Sequence, residues 1–124
     1  MEEFGFKELI VWKKAIEFAT HIIYEIDNIE SDRKHFRIIE QIEAAATSIA
    51  ANIAEGKGRY SKKEFKQYLY IARGSIYETI TFINIILELK WLSVEKVHEL
   101  EIEGLVLNKM LNSLINKMSI GNQE

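Results

Sequence analysis

Asn52-Ile53-Ala54-Glu55-Gly56-Lys57-Gly58-Arg59-Tyr60-Ser61-Lys62-Lys63-Glu64 joins the end of one helix to the start of the next, and its reading decides the fold. Gly56 and Gly58 are expected to stop the first of these helices, because glycine tolerates the left-handed backbone common just past a helix end. Ser61-Lys62-Lys63-Glu64 has the spacing of a capping box. In that motif the Ser61 hydroxyl accepts from the Glu64 backbone N–H, and the Glu64 carboxylate reaches back to the N–H of Ser61. A four-residue connection between two long apolar-periodic segments makes a helical hairpin of antiparallel neighbours.

Working backward from the turn, the second helix is expected from about residue 33 to 55, capped by Ser31 or Asp32. Its seam is Ile38/Ile39, Ile42, Ala46, Ile49 and Ile53, and the alanines and Ser48 around that seam permit close approach of neighbours. Working forward, the third helix is expected over 61–90, with a stripe at Phe65, Leu69, Ala72, Ile76, Ile80, Ile83 and Leu87. Gly74-Ser75 interrupts it with a residue that costs about 1 kcal/mol against alanine, which points to a close helix approach or a kink there. Beyond Ile80 this helix is apolar nearly all round, which implies cover by a further subunit. The first helix is expected over 8–27, on the stripe Leu9, Trp12, Ile16, Ala19, Ile23 and Ile26, widened by Val11, Phe18 and Ile22, with His21 beside it as a partly buried, hydrogen-bonded residue. The fourth is expected over 94–118, with Ser93 as its N-cap and a frayed polar tail from Ser119. The expected architecture is all-α: one domain, residues 1–124, forming an antiparallel up-down-up-down four-helix bundle.

Composition agrees. The chain has 124 residues, no proline and no cysteine. The missing proline suits long helices, and the missing cysteine excludes disulfides, thiolate nucleophiles and cysteine-based zinc sites. No apolar run approaches the roughly 18 residues of a membrane span, and the acidic N-terminus lacks the order of a signal peptide. A cytoplasmic protein with no membrane partner is expected.

Little here suggests chemistry. Glu95-x-x-His98 and Asp32-x-x-His35 both lie at helix starts, whereas a di-metal bundle needs such pairs facing inward from helix middles. Ser48 and Ser75 sit in helix interiors, where serine packs or bonds back to the preceding turn. No phosphate-binding glycine loop is present. The chain is expected to be no enzyme and to use no metal or cofactor.

Charge is distributed unevenly. The net charge is −3, yet residues 57–74 carry Lys57, Arg59, Lys62, Lys63, Lys66 and Arg73 against Glu64 alone. Two readings follow. In one, these six cations and the neighbouring tyrosines form a surface that binds RNA or DNA, lysine and arginine neutralising phosphates and aromatics stacking on bases. In the other, they are a solvated helix face, or a contact for a partner protein or subunit, with Glu55 paired to Arg59 and Asn52 tying the helix end to a neighbour.

Leu9-Ile10-Val11-Trp12-Lys13-Lys14-Ala15, Gln41, Ser48 to Gly56, Gly58-Arg59, Ser61, Glu64-Phe65, Tyr68-Leu69, Ile71-Ala72, Gly74-Ser75 and Glu78 together resemble the bacterial four-helix-bundle proteins encoded in intervening sequences of 23S rRNA genes. The resemblance covers nearly the whole chain. It implies an antiparallel bundle commonly assembled as a homopentamer. A related branch, the accessory variability determinant of diversity-generating retroelements, implies nucleic acid and a reverse transcriptase as partners. The family has no settled biochemical function. The chain departs from its pattern in two places. Glu43 and Ala44 stand where members often carry basic residues, which removes positive charge from the second helix, and Ala50 stands where proline is common.

Overall fold

A computed structural model describes residues 4–29 and 36–121 of the chain. A one-turn 3-10 helix, Gly5–Glu8, leads into α1 (Ile10–Asp27), followed by α2 (Phe36–Lys57), α3 (Lys62–Glu88) and α4 (Val94–Gly121). Among the described residues there is no strand. Each helix packs on its neighbours in sequence and α1 closes the ring against α4, giving an antiparallel up-down-up-down four-helix bundle. The α2–α3 hairpin is the most extensive of these contacts.

The core lies where the periodicity puts it in α2, at Ile39, Ile42, Ala46, Ile49 and Ile53. Ile42, Ile49 and Ile53 are wholly buried, each contributing roughly 1.5–3 kcal/mol of apolar transfer. In α1 the buried face is the side of the expected stripe widened by Val11, Phe18 and Ile22. These three are buried with Ala15, Ala19 and Ile26, whereas Ile16 is exposed and Leu9, Trp12 and Ile23 are only partly covered. Packing against α2 and α4 covers that side of the helix, and at its N-terminal end Phe6 packs on Trp12 with ring centroids 5.3 Å apart.

Gly56 corrects the expected helix end. The helix runs through it to Lys57, and no glycine adopts a positive φ. A Cβ on Gly56 would lie 2.6 Å from Tyr68 Cβ and 2.9 Å from a Phe65 ring carbon. Its missing side chain therefore lets α2 and α3 meet at the turn. Gly74 is the reverse case: a Cβ there would meet nothing within 4 Å. The close approach belongs to Ser75, whose hydroxyl accepts a hydrogen bond from Ser48 across the α2–α3 interface and donates to the Ile71 carbonyl.

Ser61 caps α3 as expected, accepting from the Glu64 N–H at 3.1 Å, but only half of the capping box forms. The Glu64 carboxylate accepts from the Ser61 hydroxyl at 3.3 Å, not from its backbone. At the other end Lys90 takes φ 61°. The Trp91 N–H reaches the Ile86 carbonyl and that of Lys90 reaches Leu87, a Schellman closure built without glycine. Ser93 caps α4 through the Lys96 N–H at 3.2 Å. The helix then continues to Gly121, past the expected end, so Ser119 is helical. The caps expected at Ser31 or Asp32 and the Asp32-x-x-His35 spacing lie outside the described residues.

Candidate nucleic-acid interface

The basic segment opens at the α2–α3 turn. Arg59 reaches back one helical turn to the Glu55 carboxylate at 3.1 Å. Its guanidinium stacks 4.8 Å from the Tyr68 ring centroid and donates to the Tyr68 hydroxyl. The turn is held by this triad, the Gly56 contact and the Ser61 cap. Asn52 plays no part in it. Its amide donates to the Ser48 carbonyl at 2.8 Å within its own helix, so the expected tie to a neighbour does not form. Lys57 projects over Phe65, 6.0 Å from the ring centroid.

Further along α3 the cations share one flank. At about 100° per residue, Lys62, Lys66 and Arg73 fall within about 40° of each other, with Lys63, Tyr70 and Tyr77 beside them. Arg73 lies over Tyr70 at 4.9 Å and donates to Asn112 Oδ1 at 3.0 Å. Lys66 donates to the Ser119 hydroxyl at 3.3 Å. Both α4 partners are neutral. They orient the cations without cancelling their charge, and Lys62 and Lys63 stay exposed. Tyr70 and Tyr77 are 42% and 53% exposed, so their rings border solvent next to the positive row.

The structure thus divides the six cations. Lys62, Lys63, Lys66 and Arg73 come together on the α3 flank. Lys57 and Arg59 stay at the turn, with the charge of Arg59 set against Glu55. Asn112 and Ser119 escaped the sequence reading because the register of α4 against α3 is fixed only by packing. The 4-3-4 spacing of Lys66, Tyr70, Arg73 and Tyr77 is the sequence signal that sets this flank apart from the turn.

A second polar cluster joins α1 to α4. His21 Nδ1 lies 2.6 Å from Glu103, and its Nε2 lies 3.8 Å from the buried carboxylate of Glu25, which Lys96 approaches at 3.7 Å. His21 is half-buried and hydrogen-bonded, as its place beside the stripe suggested. Glu25 went unnoticed, although its position one turn beyond His21 and next to Ile26 puts it on the buried face. No group of three or more potential metal ligands occurs among the described residues. No helix there is long and apolar enough to cross a membrane.

Comparison with known proteins adds identity to this geometry. The chain matches the 23S rRNA-intervening sequence protein family over residues 7–113. It is similar, at 28% sequence identity and a TM-score of 0.79, to the crystal structure of a protein of unknown function from the S23 ribosomal protein family of Bacteroides thetaiotaomicron. That similarity covers 86% of this chain and 98% of the other. No curated protein matches.

Proposed function

The chain belongs to the 23S rRNA-intervening sequence protein family, and from that footing we propose a non-enzymatic, cytoplasmic homo-oligomer, assembled as a pentamer, that binds RNA or DNA along the α3 flank. The observation that carries the binding reading is the row Lys62, Lys66 and Arg73. Its members are gathered on one face and flanked by exposed tyrosines, with Lys66 and Arg73 held by neutral partners. Phosphate neutralisation should make binding steeply salt-dependent, by roughly 0.7–0.9 log–log units per contact. Titration of labelled RNA and DNA over a range of salt concentrations tests this. For three contacts a slope between about 2 and 3 is expected, and no binding at the lowest salt would end the reading.

Self-association is supported by exposed apolar side chains on the second half of α3 and the facing part of α4. Ile85, Leu89, Ile102, Leu105 and Val106 are each 40–59% exposed. Light scattering should give several chain masses, and Leu105→Glu should lower that number. A monomer at high concentration would remove this half of the reading.

A second reading is favoured by the internal engagement of Arg59, Lys66 and Arg73, each already bonded within the chain. In it the same flank is a structural face or docks a partner protein such as a reverse transcriptase, with no nucleic acid. Replacing Lys62, Lys63 and Lys66 by Glu separates the two. Lost nucleic-acid binding with assembly intact supports the first, and lost assembly supports the second.

A further inference from the structure

We propose that the nucleic acid held on the α3 flank is single-stranded, with phosphates on Lys62, Lys66 and Arg73 and unpaired bases stacked on Tyr70 and Tyr77. This deepens the nucleic-acid reading above and rests on it. Along one helix two cations, Lys62 and Lys66, are followed by ring, cation and ring: Tyr70, Arg73, Tyr77. From Lys62 to Tyr77 the strip is about 22 Å long, at about 1.5 Å per residue, room for a short run of nucleotides.

What selects a single strand is the rings. A tyrosine contributes to nucleic-acid binding mainly through its flat face, which only an unstacked base can meet. In a duplex the bases are stacked on one another and show their edges to the grooves, so exposed rings at these positions would gain little. Tyr70 and Tyr77 keep about half of their surface in solvent although an apolar core lies one helical face away. Arg73 is stacked on Tyr70 while its guanidinium is also bonded to Asn112, so ring and charge are pre-positioned together. A phosphate on Arg73 then places the adjoining base within reach of either ring. The α3 cations also form one row and not two, which matches one backbone. Glu64 and Glu78, both exposed, lie roughly 160–200° round the helix from Lys62, so the far side of α3 offers no second positive row.

The test compares fluorescein-labelled oligo(dT), oligo(U) and a blunt duplex of equal length, by anisotropy at low salt with the full chain. The single strands are expected to bind about tenfold or more tightly than the duplex. Tyr70→Ala with Tyr77→Ala should weaken the single strands about tenfold or more while leaving the salt slope unchanged, and Tyr→Phe at both positions should restore affinity. Equal or tighter duplex binding overturns the inference and leaves the nucleic-acid reading standing. So does a helical, normally assembled double-alanine variant that binds like the parent. Failure of all three probes to bind overturns both. The comparison of probes on the unsubstituted chain decides between strands even if the alanine variant does not fold.

Discussion

Two arginines of this bundle sit over tyrosines at nearly the same distance, Arg59 on Tyr68 at 4.8 Å and Arg73 on Tyr70 at 4.9 Å, yet their surroundings differ in kind. Arg59 closes its charge on Glu55, in a turn where α2 and α3 are pressed together through Gly56. Arg73 is fixed by the neutral amide of Asn112, beside Lys66 on the equally neutral Ser119. The same stacking thus serves to lock a turn in one place and to hold out an uncompensated charge in the other. A basic segment read as a single unit in sequence is two units in space, and only in the first is an arginine's charge closed on a carboxylate.

The largest expected effect tests that division directly. Lys62→Gln, Lys66→Gln and Arg73→Gln combined should weaken nucleic-acid binding by about a hundredfold at low salt and lower the log–log salt slope by about 2–3, one step per lost phosphate contact. Helicity and assembly should be retained, because the lost contacts are bonds to α4 side chains at the rim of the bundle. An unchanged slope would show that the phosphates lie elsewhere and would dissolve the contrast between the two arginines.

Next in size is a substitution on the turn side. Gly56→Ala forces a methyl to within 3 Å of Tyr68 Cβ and the Phe65 ring. Overpacking of this kind costs about 1–3 kcal/mol, which thermal or urea denaturation would read as an earlier midpoint. Gly74→Ala, on α3 beside Arg73, should act in the opposite direction. Its Cβ enters open space in a helix interior, so up to about 1 kcal/mol of stability is gained. Two glycines that look alike in sequence should therefore give midpoints on opposite sides of the parent. If Gly74→Ala proves destabilising in the assembled protein but not in a monomeric variant, that face approaches another subunit.

These glycines mark how far the sequence can be read. The four helices follow from apolar spacing and from the caps at Ser61 and Ser93, all local signals. Glu55 and Arg59, four residues apart across a helix end, were legible as a pair for the same reason. What depends on the meeting of distant segments was not. The choice of buried side within the α1 stripe turns on its packing against α2 and α4, and Gly56 on the approach of Tyr68. The partners of Arg73 and Lys66 turn on the register of a helix some forty to fifty residues away. Periodicity narrows a helix to a face and its neighbours, and packing chooses among them.

The smallest expected effect is also the most discriminating. Arg59→Gln removes a charge from the same basic segment and a guanidinium from the same kind of tyrosine stack as Arg73→Gln. Because Arg59 and Glu55 are both well exposed, the loss of their pair should cost less than about 1 kcal/mol. Nucleic-acid affinity should move little, since the freed Glu55 carboxylate changes the local charge at the turn and not along the α3 row. Arg73→Gln alone should lower affinity severalfold at low salt and remove about one unit of salt slope. Measuring the two single variants side by side isolates position from chemistry. Equal losses would mean that the ligand spans the turn and that Glu55 gives way to it. A loss confined to Arg73 would place the phosphate path on the flank that α4 organises.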